Sequence, residues 1–120
     1  MKFYLLRNTK GANIYAKDNH GWNVLHVAVS TGDYKLTEYL ISQMSKTDSF
    51  FKYINSVEKI NGWSPLHIAC IIGNFEIIEL LLNNGSSITI KDSFGEYPYE
   101  LVEFKKRELS NKIYQRIKVS

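Results

Sequence analysis

The chain has 120 residues, 44% hydrophobic and 22% charged, with a formal net charge of +3. That length suits one domain able to bury roughly two-thirds of its unfolded surface. The sequence holds no run of 18 or more apolar residues, and MKFYLLRNTK lacks the apolar core of a signal peptide, so neither a membrane span nor secretion is expected.

The N-terminal segment Tyr4–Asp18 (YLLRNTKGANIYAKD) reads as a helix and an exit loop, with an apolar start at Phe3, Tyr4, Leu5 and Leu6. Next comes Gly21–Leu40, GWNVLHVAVSTGDYKLTEYL, which recurs at Gly62–Leu81 as GWSPLHIACIIGNFEIIELL. Gly21/Gly62, Trp22/Trp63, Leu25/Leu66, His26/His67, Ala28/Ala69 and Gly32/Gly73 share their offsets. A decayed third copy starts at Gly95 as GEYPYELV, 33 residues after Gly62, whereas the first interval is 41. The unit is therefore 33 residues, with eight inserted once.

Each copy predicts two helices. In the second, Ser64 is an N-cap ahead of Pro65, whose missing N–H costs nothing at a helix start. In the first, Asn23 and Val24 stand at those positions, so the cap survives without the proline's restraint, and this copy is expected to open more easily. Gly32 and Gly73 end the first helices and Gly85 follows a second helix, where a left-handed residue turns the chain. Tyr34, Leu36, Tyr39 and Leu40, and Phe75, Ile77, Ile78, Leu80 and Leu81, form the apolar faces of the second helices. The insertion falls within Ser42–Tyr53, as a longer helix and a polar turn at Lys46-Thr47-Asp48, with Phe50, Phe51 and Tyr53 covering the scaffold edge or forming a second partner site. In the third copy, Tyr97-Pro98-Tyr99-Glu100 lacks both the capping oxygen and the histidine and reads as a terminal cap. Its last helix, Lys105–Val119, carries Leu109, Ile113 and Ile117 at four-residue spacing.

The 33-residue period, the Ser64-Pro65-Leu66-His67 tetrapeptide and the glycine-bounded helices resemble the ankyrin repeat. The resemblance implies an all-α repeat protein, a solenoid of helix-turn-helix units joined by β-hairpin loops. It spans nearly the whole chain and is clearest at Ile60–Asp92. It divides residues 1–120 into a partial repeat (1–17), a repeat with the insertion (18–57), a full repeat (58–91) and a capping repeat (92–120). Two whole repeats between partial ones predict marginal stability. The uncovered N-terminal half repeat implies either a longer array or weak self-association through that face.

The chemistry expected is recognition. His67 and Cys70 lie three apart on a helix, but two ligands without further Cys, His or Asp partners do not make a metal site, and the resemblance implies that His26 and His67 bond within and between repeat loops. No nucleophile-and-base spacing, phosphate loop or acidic pair is present, so no catalysis, cofactor or small-molecule substrate is expected. Asn84-Gly85-Ser86 matches a glycosylation acceptor but sits at a helix end in a chain not expected to be secreted. The lone Cys70 suits a reducing compartment, so the chain reads as intracellular, cytoplasmic or nuclear.

The resemblance implies a protein partner bound along a concave face of hairpin tips and first-helix ends. The matching positions are Asn19, His20, Trp22, Ser30 and Thr31, then Ile60, Asn61, Trp63, Ile71 and Ile72, then Ser93, Phe94 and Glu96. Ile60, Trp63, Ile71 and Ile72 with Trp22 and Phe94 are expected to form a contiguous exposed apolar patch. For each tryptophan, packing across neighbouring hairpins and partner contact both remain open. The alternative reading is binding of nucleic acid or an anionic surface through Lys105, Lys106, Arg107, Lys112, Arg116 and Lys118. Residues 1–99 balance nine Lys/Arg with nine Asp/Glu, whereas 100–120 hold six against three. Glu100, Glu103 and Glu108 in that segment, and the lack of a nucleic-acid fold signature, count against it.

Overall fold

The computed structural model describes residues 16–102. Among them are five α-helices, α1 (Val24–Thr31), α2 (Tyr34–Met44), α3 (Phe50–Ile54), α4 (Pro65–Ile72) and α5 (Phe75–Asn83), and a 3-10 turn at Pro98–Leu101. Helix α1 packs against α2 and α4, α4 packs against α5 and the 3-10 turn, and α2 meets α5. That is two helix pairs stacked side by side.

Local chemistry sets the boundaries. Asn23 Oδ1 accepts from the Leu25 and His26 N–H groups, and Ser64 Oγ from the His67 N–H, each answering donors that a helix start leaves without partners. In both copies the histidine three residues on takes the N-cap N–H on Nδ1, at 3.2 Å from Asn23 and 3.1 Å from Ser64, closing a capping box. Gly32 and Gly73, both at φ 76°, stop α1 and α4 in the left-handed conformation. The second helices start at Asp33 and Asn74, whose side chains accept from Leu36 and Ile77.

The core joins both pairs: Leu25 and Val29 of α1, Ile41 and Met44 of α2, Leu66, Ile68, Ala69 and Cys70 of α4, and Ile77, Ile78 and Leu81 of α5. Ile54 of α3 and Val102 close its ends. A smaller cluster of Val24, Ala28 and Leu40, with Leu36 against it, lies apart from that core.

The insertion becomes two extra residues on α2 relative to α5, a turn over 45–49 and the short helix α3. Phe50 and Tyr53 pack against the core and Ile54 is fully buried within it, while Phe51 is 67% exposed. Asn55 pins α3 to the next repeat: its Nδ2 donates to Phe51 O and Gly85 O, and its Oδ1 accepts from Ser87 N–H at 2.6 Å. The segment thus fills the edge of the scaffold through two of its three aromatic residues.

Two features of the third copy differ from expectation. The absent histidine has a substitute, because the Glu100 carboxylate accepts the Tyr97 N–H at 2.8 Å, as His26 and His67 accept from Asn23 and Ser64. The first helix of that copy is a 3-10 turn of four residues, starting at Pro98 without a side-chain cap bond. The predicted helix Lys105–Val119 and the N-terminal half repeat lie outside the described residues.

Candidate functional site

Three hairpin loops line up beside the first helices, and each is built around one carboxylate. In the first, Asp18 N–H donates to Trp22 O and Gly21 N–H returns to Asp18 O, while Asp18 Oδ1 accepts from the His20 and Trp22 N–H groups at 2.9 Å each. The third repeats this pattern: Asp92 pairs with Glu96 and Gly95, and its Oδ1 accepts from Phe94 and Glu96. The second has one more residue between its acid and its glycine, and its acid is Glu58. Glu58 Oε2 accepts from Ile60 N–H at 2.9 Å, and Oε1 from Asn61 at 2.7 Å and Trp63 at 3.2 Å. The extra methylene of glutamate spans the extra residue of the loop. Glu58, 1% exposed, escapes a reading aligned on the glycines, which puts Lys59 opposite Asp18 and Asp92; aligning the acids instead reveals it. None of the described hairpins is long enough to register as a strand.

The hairpins are also tied to one another. Lys59 N–H donates to His20 O at 2.7 Å, and Ser93 N–H to Asn61 O at 2.9 Å. His26 Nε2 lies 3.1 Å from Trp63 O, and His67 Nε2 lies 3.1 Å from Glu96 O. A carbonyl can only accept, so Nε2 carries the proton in each ring and Nδ1 is the acceptor for the N-cap N–H. Burial holds both imidazoles below the usual histidine range, His26 at about 4, against the opposing influence of these carbonyls. Each histidine therefore closes its own helix start and holds the next hairpin, as the resemblance implies.

The expected binding residues fall into two groups. Ile60 is 61% exposed, Phe94 70% and Ile72 37%, and Thr31 and His20 are exposed. Trp22, Trp63, Ser30, Asn61 and Ile71 are half-buried, so the contiguous patch of exposed apolar side chains is narrower than expected. Both tryptophans pack against the core cluster. The Trp22 ring centroid is 5.6 Å from that of His26. The Trp63 indole N–H donates to Asp92 Oδ2 at 3.1 Å, a bond that joins the second hairpin to the third. Burial would raise the Asp92 pKa, but the Glu96 and Phe94 N–H groups and this indole outweigh it and hold the carboxyl below its usual range. Ser30 and Thr31 spend their hydroxyl protons on Val27 O and Ala28 O within α1.

Other sequence features resolve as scaffold. Cys70 is buried in the core, where desolvation pushes its thiol up to about 12. Asn84 Nδ2 donates to Leu80 O at the end of α5, and Ser86 is 9% exposed, so the acceptor tripeptide is folded into the helix exit. Among the described residues no cluster of three or more His, Cys, Asp or Glu is placed to hold a metal, and no helix is long and apolar enough to cross a membrane. The basic residues from Lys105 to Lys118 lie outside the described part.

No curated protein matches the chain. The family model for ankyrin repeats matches residues 2–92 in three copies. With the match extending over most of the chain and the hairpin, capping box and helix pair recurring in the structure, the chain belongs to the ankyrin-repeat family, whose members generally serve as non-catalytic modules for protein–protein interaction.

Proposed function

We propose that the chain is a non-catalytic module that binds a partner protein along the surface of hairpin tips and first-helix ends, as an adaptor, an inhibitor or the targeting domain of a larger protein. The reading rests on one observation: on a scaffold whose hairpin polar groups are satisfied internally, Ile60 and Phe94 stand out at the tips of adjacent hairpins and Ile72 at the end of α4. Exposed apolar side chains grouped on one face favour a protein partner. The unpaired Cys70 suits an intracellular, reducing compartment.

The test is capture of partners by the immobilised domain, wild type against Ile60→Asp/Phe94→Asp. Both substitutions alter exposed tips and leave the hairpin bonds in place. Loss of an anchor at the centre of an interface costs about 2 kcal/mol, or about thirtyfold in affinity. A partner retained by the wild type and lost by a variant of unchanged stability supports the reading. Equal retention by both proteins refutes this surface as the site.

A further inference from the structure

We propose that the hairpin row is an acid-sensitive latch: a proton taken up by His26 frees the second hairpin, and one taken up by His67 the third, from the preceding first helix and the preceding hairpin, while the helix pairs stay folded. The proposal concerns the scaffold and stands whether or not this surface binds a protein. Its basis is the double duty of each ring. Nε2–H holds the carbonyl of the next hairpin, so an added proton must enter at Nδ1. There it faces the N–H of Asn23 in one repeat and of Ser64 in the next, a donor against a donor. The acceptors within reach are Asn23 Oδ1 at 3.0 Å and Ser64 Oγ at 2.9 Å, and both are already engaged as helix caps. Both rings are 0% exposed, so the added charge meets no water.

The charged groups facing the rings are Glu58 and Lys17 for His26, and Asp92 for His67. Glu58 and Asp92 favour the imidazolium, but each is already committed to the backbone N–H groups of its own loop. Lys17 opposes it. Burial prevails, and both rings titrate below an ordinary histidine. The sign follows: the opened hairpin releases rings that titrate near 6.5, so the open form binds more protons than the closed form below that pH. The closed row keeps its full stability above about pH 6.5 and loses it as pH falls, for His26 down to about 4. The third copy, with Glu100 in place of the histidine, has no such step. The core between the helix pairs is apolar, and its one titratable group, the Cys70 thiol, is pushed up to about 12, far from this pH range.

The experiment is amide hydrogen exchange on the whole chain at pH 7 and pH 5, corrected for intrinsic rates. It follows the Lys59 and Ser93 amides, which tie hairpin to hairpin, against amides inside α2 and α5. Between these pH values the protection of the Lys59 amide, on the hairpin that His26 holds, is expected to fall by about twentyfold, and that of Ser93, on the hairpin that His67 holds, to fall in the same direction. The helix amides should change much less. In His26→Gln/His67→Gln, glutamine at the third helical position can still accept the N-cap N–H and donate onward without titrating, so this pH dependence should vanish. Should the double variant fail to fold, nitrogen NMR of the wild-type rings serves in its place, with a neutral Nε2–H ring expected for His26 in the closed form at pH 5. Equal hairpin protection at both pH values would overturn the latch. So would simultaneous loss of helix and hairpin protection, an unchanged pH dependence in the glutamine variant, or a closed form holding His26 as imidazolium at pH 6.

Discussion

Glu58→Asp is the sharpest test of how the second hairpin is built. The wild-type carboxylate collects three backbone N–H groups across a loop one residue longer than its neighbours. Aspartate, one methylene shorter, serves two such groups in each of the other hairpins, but at position 58 it cannot span the longer loop. Bonds to a charged acceptor contribute about 1.5–3 kcal/mol each. These donors are only partly buried and regain water when released, so the lower end applies, and losing one or two of them costs about 2 kcal/mol. With a urea m-value of about 2 kcal/mol/M, the midpoint should fall by about 1 M. Deleting Ile60 in the Glu58→Asp background gives Asp-Lys-Asn-Gly-Trp, the length and acid of the first hairpin, and should recover most of the loss. Urea denaturation followed by circular dichroism measures all three proteins. The length-matching argument fails if Glu58→Asp is as stable as wild type, or if the deletion lowers the single variant's midpoint further.

Trp63→Phe keeps the ring against the core but removes the indole N–H that Asp92 accepts; about 1 kcal/mol of stability should go with it, read as a lower urea midpoint, whereas Ile60→Ala at an exposed tip should leave the midpoint within about 0.5 kcal/mol. The sequence alone left packing across the hairpins and partner contact both open for Trp63; the Asp92 bond predicts that every Trp63 substitution is felt by the scaffold. Gly62 and Gly95 occupy the same turn position at φ 71° and 79°, so replacing either with alanine strains the backbone by about 1 kcal/mol. At Gly62 the added Cβ would also lie 2.8 Å from Ser93 N and Oγ, while at Gly95 nothing lies within 4 Å. Gly62→Ala should therefore be the more destabilising of the two in a thermal melt, and equal losses would contradict the close hairpin contact.

How much could be read in advance varied with how local the cause was. The Asn23 and Ser64 caps, the Pro65 start and the left-handed Gly32 and Gly73 are decided by residues within one turn of each other, and all were legible. The polar turn in the insertion was legible too, since Lys46-Thr47-Asp48 has nothing to bury. The site was only partly legible. The family pattern marks which positions flank the groove, but exposure depends on what the neighbouring repeat places there. Trp22, Trp63 and Ile71 are half-buried for that reason, while Ile60, Phe94 and Ile72 are not.

The sequence by itself determined the repeat, its period, the helix starts and stops, and the apolar faces that must meet, because each follows from backbone preference and from the spacing of side chains along one helix. Only the tertiary structure decided which hairpin carbonyl each histidine holds, that Glu58 takes the part played by Asp18 and Asp92, that Glu100 replaces the missing histidine, and that Trp63 is bonded to Asp92. Most of these are contacts between repeats some thirty residues apart. The others depend on loop length and side-chain reach, which become commensurate only once the chain is folded.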